Sequence, residues 1–374
     1  MGDRGGAIRE FGEAVRLDPT LFAAHDQLGS ALQAAGDLNG AQESFVKAIL
    51  ADPDHGNRIA YANLGRLVGT RMDRANAEAF YKNTIKTGTR AGRVAFLQAL
   101  AASLATSKQD YEGALEAVRS ARKLDSNNAS LWVLDSVLLR ITHKIDAAID
   151  AARHAIGIAA DSPAGHCQLG FGLLEQGEFD AAVKSFKTGH ELGTAAKWNQ
   201  PTDAWLARAE QYAEIHEDLD SALEGGSWPT DLAEAQALAY VCARTKRWGS
   251  AAEVYKSLIA NPQTEAAARD AARYEAACMA ARAGTEIGSD EDPHQAKPGS
   301  QAGWRALALE WLKHELDLAR NALPTAAKPE AIQSRVRRWK TDPDLEGIRD
   351  RNRVQRLPLE ERQALASFWK DLLS

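Results

Sequence analysis

One spacing limits what this chain can fold into more than any other feature. Ala7, Phe11, Ala14 and Pro19 return 34 residues later as Ala41, Phe45, Ala48 and Pro53. Four positions in register mark an internal repeat, and repeats of this period stack on their neighbours instead of closing into one globule. The alanine position continues through Ala77, Ala114, Ala148 and Ala182, followed four residues on by Tyr81, Val118, Ala152 and Phe186. An offset of four puts both side chains on one helix face. Thirteen residues before three of these alanines stands a Leu-Gly pair, Leu28-Gly29, Leu64-Gly65 and Leu169-Gly170, while Trp132 precedes Ala148 by sixteen. Each unit therefore reads as two amphipathic helices joined by a tight turn. Gly36-Asp37 and Gly177-Glu178 supply turns, and Pro19 and Pro53 stop the second helix. Small residues such as Gly29 and Ala41 let paired helices approach, and Phe45 fills the space between one unit and the next. Period-2 alternation is missing, and the Ala, Leu, Glu, Gln, Lys and Arg content favours helix, so strands are not expected.

This Leu-Gly, Ala, aromatic, Ala, Pro set resembles the tetratricopeptide repeat, in good register over residues 1–197. The resemblance implies an all-α fold, a right-handed superhelical solenoid of helix pairs, here with a C-terminal helical cap. Ala7 occupies a second-helix position, so the first repeat is expected to be truncated and the chain to be a fragment or shortened product. Ile8, Phe11 and Val15 would otherwise show an uncovered apolar stripe.

Beyond Trp198 the pattern loosens. Residues 198–283 are expected to hold degenerate pairs and one regular pair: a first helix over 202–217, a short stretch over 219–223, a break at 225–229, then Leu238, Ala251, Tyr255 and Leu258 at the earlier offsets, closed by Asn261-Pro262. Residues 284–303 gather Gly, Ser, Asp, Glu and Pro and read as an exposed, mobile loop. Residues 304–374 read as a capping region, with helical segments near 304–322, 329–340 and 358–373 and with Trp311, Trp339 and Trp369 as packing anchors. Eight of the nine tryptophans lie from Trp198 onward, which separates this half in style from the Ala-rich repeats.

A narrower resemblance covers residues 218 to the end. It rests on Arg273-Tyr274-Glu275-Ala276-Ala277-Cys278, on Ala308-Leu309-Glu310-Trp311-Leu312, on Trp339-Lys340-Thr341-Asp342-Pro343-Asp344-Leu345, and on Leu357-Pro358 leading to Phe368-Trp369. These stretches look like the tail of tetratricopeptide-bearing serine/threonine protein kinases of planctomycete-type bacteria. In that family the kinase domain precedes the repeats. The present sequence has no Gly-rich loop with a following Val-Ala-x-Lys, no His-Arg-Asp and no Asp-Phe-Gly, so the resemblance implies an accessory tail without catalytic capacity.

Charge and side-chain chemistry exclude several classes. Lys plus Arg number 45 against 51 Asp plus Glu, a net charge of −6 with no general pull toward nucleic acid or an anionic membrane. Apolar runs fall far short of the roughly 20 residues needed to span a bilayer, and the start has no signal core. The reading places the chain in the cytoplasm and leaves membrane association to a parent protein. Cys167, Cys242 and Cys278 are widely separated and read as small buried residues. Histidines fall in no HExxH pattern, and Asp342 and Asp344 read as a helix-starting turn, so no metal and no cofactor is expected. The basic residues Arg335, Arg337, Arg338, Lys340, Arg349, Arg351, Arg353 and Arg356 are offset locally by Asp342, Asp344, Glu346 and Asp350, which argues against nucleic acid.

What remains is binding. First helices line the inner face of such a stack and offer a long groove to a peptide or helix. By register the lining comprises Asp26, Ser30 and Gln33, then Ala62 and Arg66, then Val133, Val137 and Arg140, and finally Phe171 and Leu174. The Lys, Asn and Arg set with which some members grip a C-terminal carboxylate is not reproduced, since Asp26, Ser30 and Ala62 stand at comparable places. The expected function is a non-catalytic scaffold for a protein or peptide partner, with the kinase-tail reading as the alternative.

Overall fold

The computed structural model describes residues 4–51, 58–86, 88–225, 228–285, 292–294, 301–325 and 329–372. Within them every regular element is helical and no strand occurs. Two compact units are present. The first comprises residues 1–173 and 184–203, the second residues 174–183 and 204–374.

The first unit runs α1 (Arg4–Leu17), α2 (Phe22–Ala35), α3 (Leu38–Ala51), α4 (Arg58–Arg71), α5 (Arg74–Phe80), α6 (Arg90–Ser103), α7 (Tyr111–Leu124), α8 (Ala129–Ile141) and α9 (Ile145–Ile158). It also takes most of α10 (Pro163–Gln176) and the later part of α11 (Phe179–Ala195). Short side chains start these helices. Asp73, Thr89 and Asp110 accept from the backbone N–H of Asn76, Gly92 and Gly113 at 2.8, 3.1 and 2.9 Å, satisfying donors that a helix start leaves unpaired. Gly36 closes α2 at φ 89°, a conformation open to glycine at little cost. Pro53, expected to close α3, lies outside the described residues.

The repeat's packing logic is visible in two pairs at the same offset. A Cβ on Gly29 would stand 2.7 Å from the ring of Phe45, and one on Gly170 would stand 2.8 Å from the ring of Phe186. In each case the missing side chain makes room for the aromatic, and both rings are fully buried. The same register assigns Tyr81 to Gly65. The structure differs here: Gly65 abuts the backbone of Phe96 on α6, Gly69 meets Ser103 and Leu100 one turn on, and Gly92 faces the ring of Tyr61. Glycines on both helices bring α4 and α6 into direct contact, and α5 is left to the side, joined to α6 through Phe80 and Tyr81 beside Phe96. Ala77, Ala114 and Ala148 are nonetheless buried, as the repeat demands.

The second unit contains the later part of α12 (Thr202–Glu217), then α13 (Leu219–Glu224), α14 (Leu232–Arg244), α15 (Trp248–Ala260), α16 (Ala266–Thr285), α17 (Gln301–Ala322), α18 (Pro329–Arg338), α19 (Glu346–Arg349), α20 (Arg351–Val354) and α21 (Leu359–Asp371). Helices α14 to α17 pack each on the next. Trp311 and Trp339 are buried, and the indole N–H of Trp369 donates to the Ile348 carbonyl at 2.8 Å. Within the stretch expected to be an exposed loop, Gly284 and Thr285 finish α16, residues 301–303 begin α17, and Asp292 is buried. The Asp292 carboxylate accepts from the backbone N–H of Gly249 and Ser250 at 2.8 and 3.1 Å and from the Ser250 hydroxyl at 2.6 Å. It thereby caps α15 from 43 residues away, and this is the physical reason a polar residue there leaves solvent. Residues 286–291 and 295–300 of that stretch, and Gly226 and Ser227 of the expected break, lie outside the described residues.

Candidate functional site

Along the direct contact between α4 and α6 runs a shallow groove of about 710 Å³. Its floor is made of small residues, Ala62 from α4 with Ala95, Ala99 and Ala102 from α6. Its polar groups are the amides of Asn63 and Gln98, the hydroxyls of Thr70, Ser103, Thr106 and Ser107, and the guanidinium groups of Arg58 and Arg66. Among the described residues no carboxylate lines it. Arg66 is exposed and donates to the Asn63 Oδ1 at 3.3 Å, and Asn63 in turn donates to the Asp26 Oδ1 at 3.1 Å. This chain orients the Asn63 amide and ties α4 to α2. Burial raises the Asp26 carboxyl above its ordinary value, with the Asn63 bond opposing the rise.

The expected lining residues do not gather at one place. Ala62 and Arg66 lie in the groove. Asp26 is buried beneath it, with Ser30 and Gln33 half-buried further along α2. Val133, Val137 and Arg140 are half-buried on α8, where the Arg140 guanidinium sits 5.0 Å from the centre of the Phe171 ring and Phe171 meets Phe186 edge-on at 4.9 Å. Leu174 is 6% exposed and belongs to the second unit, where it serves packing. Gln98 and the α6 alanines were missed because the unit containing α6 carries no Leu-Gly mark, and Asn63, beside the Leu64-Gly65 mark on α4, was missed because its part rests on the bond to Asp26 37 residues away. A readable signal existed in Ala95, Ala99 and Ala102, small residues at helical spacing.

The second unit has a cavity of about 370 Å³ rich in tyrosine. Tyr212 and Tyr240 stack at 4.5 Å, the Tyr255 hydroxyl donates to Glu275 at 2.7 Å, and the Tyr274 hydroxyl donates to Asp342 at 2.7 Å. Burial, reinforced by nearby carboxylates, pushes the Tyr255 and Tyr274 phenols well up and keeps them protonated. Cys278, Asp342 and Asp344 each place one potential ligand atom within 4.8 Å of the others. Burial first, then the carboxylates of Asp342 and Asp344, holds the Cys278 thiol well above the ordinary thiol range, and the Asp342 oxygens accept from Tyr274 and from the Asp344 N–H. Asp342 caps the short turn Pro343–Leu345. Chemically the set is a hydrogen-bonded latch between α16 and that turn, completed by Tyr274 stacking on Trp339 at 5.4 Å.

Residues 22–55, the span of α2 and α3, match the family model of the tetratricopeptide repeat. A search of curated proteins gives no match. Among solved structures the chain is similar to MamA at 21% identity, over 48% of this chain and 96% of that one, with a TM-score of 0.34. YrrB, described as a TPR protein with an unusual peptide-binding site, is 14% identical over 54% of this chain and 97% of its own, with a TM-score of 0.35. A thermophilic TPR protein in Thermus thermophilus is 18% identical over 50% and 98%, again with a TM-score of 0.35.

Proposed function

We propose that the α4–α6 groove holds an extended segment of a protein partner, with an acidic group of that segment against Arg66. The observation that carries this reading is the groove's composition: small-residue floor, side-chain amides, two arginines and no carboxylate. A floor of alanines lets a peptide backbone come close. An amide presents both a donor and an acceptor, matching the two groups every backbone residue must satisfy, and Asn63 uses one of each on Asp26 and Arg66 while keeping one of each in reserve. A guanidinium takes a carboxylate in a two-pronged hydrogen bond. Amides and guanidinium groups do not titrate near neutrality, so this set suits holding and not acid–base catalysis. Ser30, Gln33, Val133, Val137, Arg140 and Phe171 are read as outlying contacts of a longer segment.

A second reading makes the chain an accessory of a serine/threonine kinase. What supports it is that residues 273–278 and 339–345, two of the stretches that carry the kinase-tail resemblance, pack on each other through Tyr274, Trp339 and Asp342.

The test is capture of partners from native cell extract on the purified chain, followed by fluorescence anisotropy with overlapping peptides of each captured protein. Arg66→Glu should weaken the binding peptide by about tenfold or more while leaving helicity unchanged. Equal affinity for parent and variant would remove the groove from the mechanism, and a kinase among the captured proteins would favour the second reading.

A further inference from the structure

A second pocket of about 400 Å³ lies between α5 and α7, over α6, which it shares with the groove described above without sharing any lining residue. Its origin is the irregularity at Gly65. With α4 drawn onto α6, α5 stands apart from α7 and leaves a space whose apolar floor is the almost wholly buried Leu97 and Leu100 of α6 and Leu104 just after it. Two wide turns frame the opening. After α5 the chain runs through Tyr81–Ile85 with the Lys86 N–H reaching back five residues to the Tyr81 carbonyl at 2.9 Å, and after α6 it widens again over Leu104–Lys108. Wide single turns of this kind give poorer backbone geometry than a regular helix and persist mostly at functional places. Tyr81 and Leu104, the first residue of each, both line the pocket.

The rim is cationic. Arg74 is neutralised by Glu116, with Nε donating at 2.8 Å, and Lys82 by Glu78 at 2.7 Å. Arg119 and Lys123 stand one turn apart on α7, line the same pocket and form no ion pair among the described residues. Residues four apart on a helix have Cβ atoms about 5–6 Å apart, so both charges lie on one face and can be met by two carboxylates on a short peptide. An apolar floor below a rim of four cations and two carboxylates, with Arg119 also in the field of Glu112 and Glu116, selects a ligand that is apolar at its centre and acidic at its flanks.

We infer that this pocket is a second docking site, which takes a bulky apolar side chain of a protein partner whose flanking residues are Asp or Glu. The volume suits one or two aromatic or leucyl side chains, and Ser120, on the wall between Arg119 and Lys123, marks where a larger residue would fill the space. The site is independent of the α4–α6 groove and does not rest on the function proposed for it.

The experiment uses the full chain and a fluorescein-labelled peptide, Asp-Glu-Trp-Leu-Asp-Phe-Glu-Asp, followed by anisotropy at low salt. Four proteins are compared after circular dichroism shows each to be folded: the parent, Arg119→Glu with Lys123→Glu, Ser120→Trp, and Arg66→Glu. The expected result is saturable binding to the parent, at least about tenfold weaker in either pocket variant and weakened more by either of them than by Arg66→Glu, with no binding of the same peptide after its acids are replaced by lysine. Absence of saturable binding to the parent up to about 1 mM peptide would overturn the proposal. So would retention of affinity in both pocket variants, or loss in Arg66→Glu alone, which would put the peptide in the other groove. Phosphatidylserine vesicles and sedimentation equilibrium run alongside. Vesicle binding abolished by Ser120→Trp without peptide binding would give the pocket to lipid, and parent self-association abolished by the same change would give it to a second copy; each overturns the assignment to an acidic peptide.

Discussion

Gly65 and Gly157 are both helical glycines, and the same substitution by alanine should move stability in opposite directions. Gly157 on α9 has no atom within 4 Å of the place where a Cβ would sit. There alanine acts only through helix propensity and the smaller entropy of the unfolded chain, which contributes about 0.5 to 1 kcal/mol. At Gly65 the new Cβ meets backbone: the Phe96 carbonyl carbon would lie 3.0 Å away and its Cα 3.1 Å, with the carbonyl oxygen nearer still. A side chain could rotate aside, but a helix backbone can yield only by moving α6. An added methyl in a packed core costs about 1–3 kcal/mol, and the upper end applies where backbone must shift. Subtracting a propensity gain of about 1 kcal/mol leaves a net loss of about 2 kcal/mol. For a cooperative unit of this size each kcal/mol moves the midpoint by about 2–4 °C. Thermal unfolding followed by circular dichroism should therefore show Gly65→Ala about 4–8 °C below the parent and Gly157→Ala about 1–4 °C above it. A Gly65→Ala midpoint equal to or above the parent would refute the claim that α4 and α6 are in backbone contact.

Three further outcomes are expected. Asp292→Ala strips the buried cap from α15 and should cost about 2–3 kcal/mol in urea titration, with much of that loss shared with Ser250→Ala in a double-mutant cycle, because Ser250 supplies two of the donors. Arg122→Ala should cost about 3–5 kcal/mol at pH 7, since it leaves the buried Asp135 without its ion-pair partner; burial already raises the Asp135 carboxyl despite Arg122, so the folded state binds its proton more tightly than the unfolded one and the deficit of the variant should shrink as pH falls toward the carboxylate range. The thiols should be silent to 5,5′-dithiobis(2-nitrobenzoate) at pH 8 in the folded protein and react in urea, because burial pushes Cys167 up to about 11 and Cys242 up to about 12; the folded state then binds more protons than the unfolded one above the ordinary thiol value, so stability should fall as pH climbs from about 9 toward 11.

The parts of this structure that could be read in advance are those set by neighbours in sequence. The Gly29–Phe45 and Gly170–Phe186 contacts sit at a fixed offset inside one helix pair, so a repeat in the letters becomes a repeat in space. Gly65 carries the same letters and does something else, because its partner is chosen by glycine at 92 and by the absence of a Leu-Gly mark in the following unit. The groove inherits that difficulty: Ala62 and Arg66 follow from register, whereas Gln98 and the α6 alanines depend on which helix α4 meets. Contacts between distant stretches carry no period at all. Tyr274 and Asp342 are 68 residues apart and each is ordinary in its own segment. Asp292 looks like one more polar residue among glycines and serines until the donors at Gly249 and Ser250 are placed beside it.

The interlocked glycines of α4 and α6 also decide where this protein can be cut and rejoined. In a regular array each helix pair is an interchangeable part, and one can be duplicated, deleted or transplanted at any inter-repeat turn. Here the turn between α5 and α6 is not such a seam, because dividing the chain there parts two helices whose backbones touch. The smallest portable block in this region is α4 to α7, and chimeras that respect it keep both pockets while those that split it lose each of them. A duplication that preserves this contact would have to copy that block whole, a step of two helix pairs and not of one.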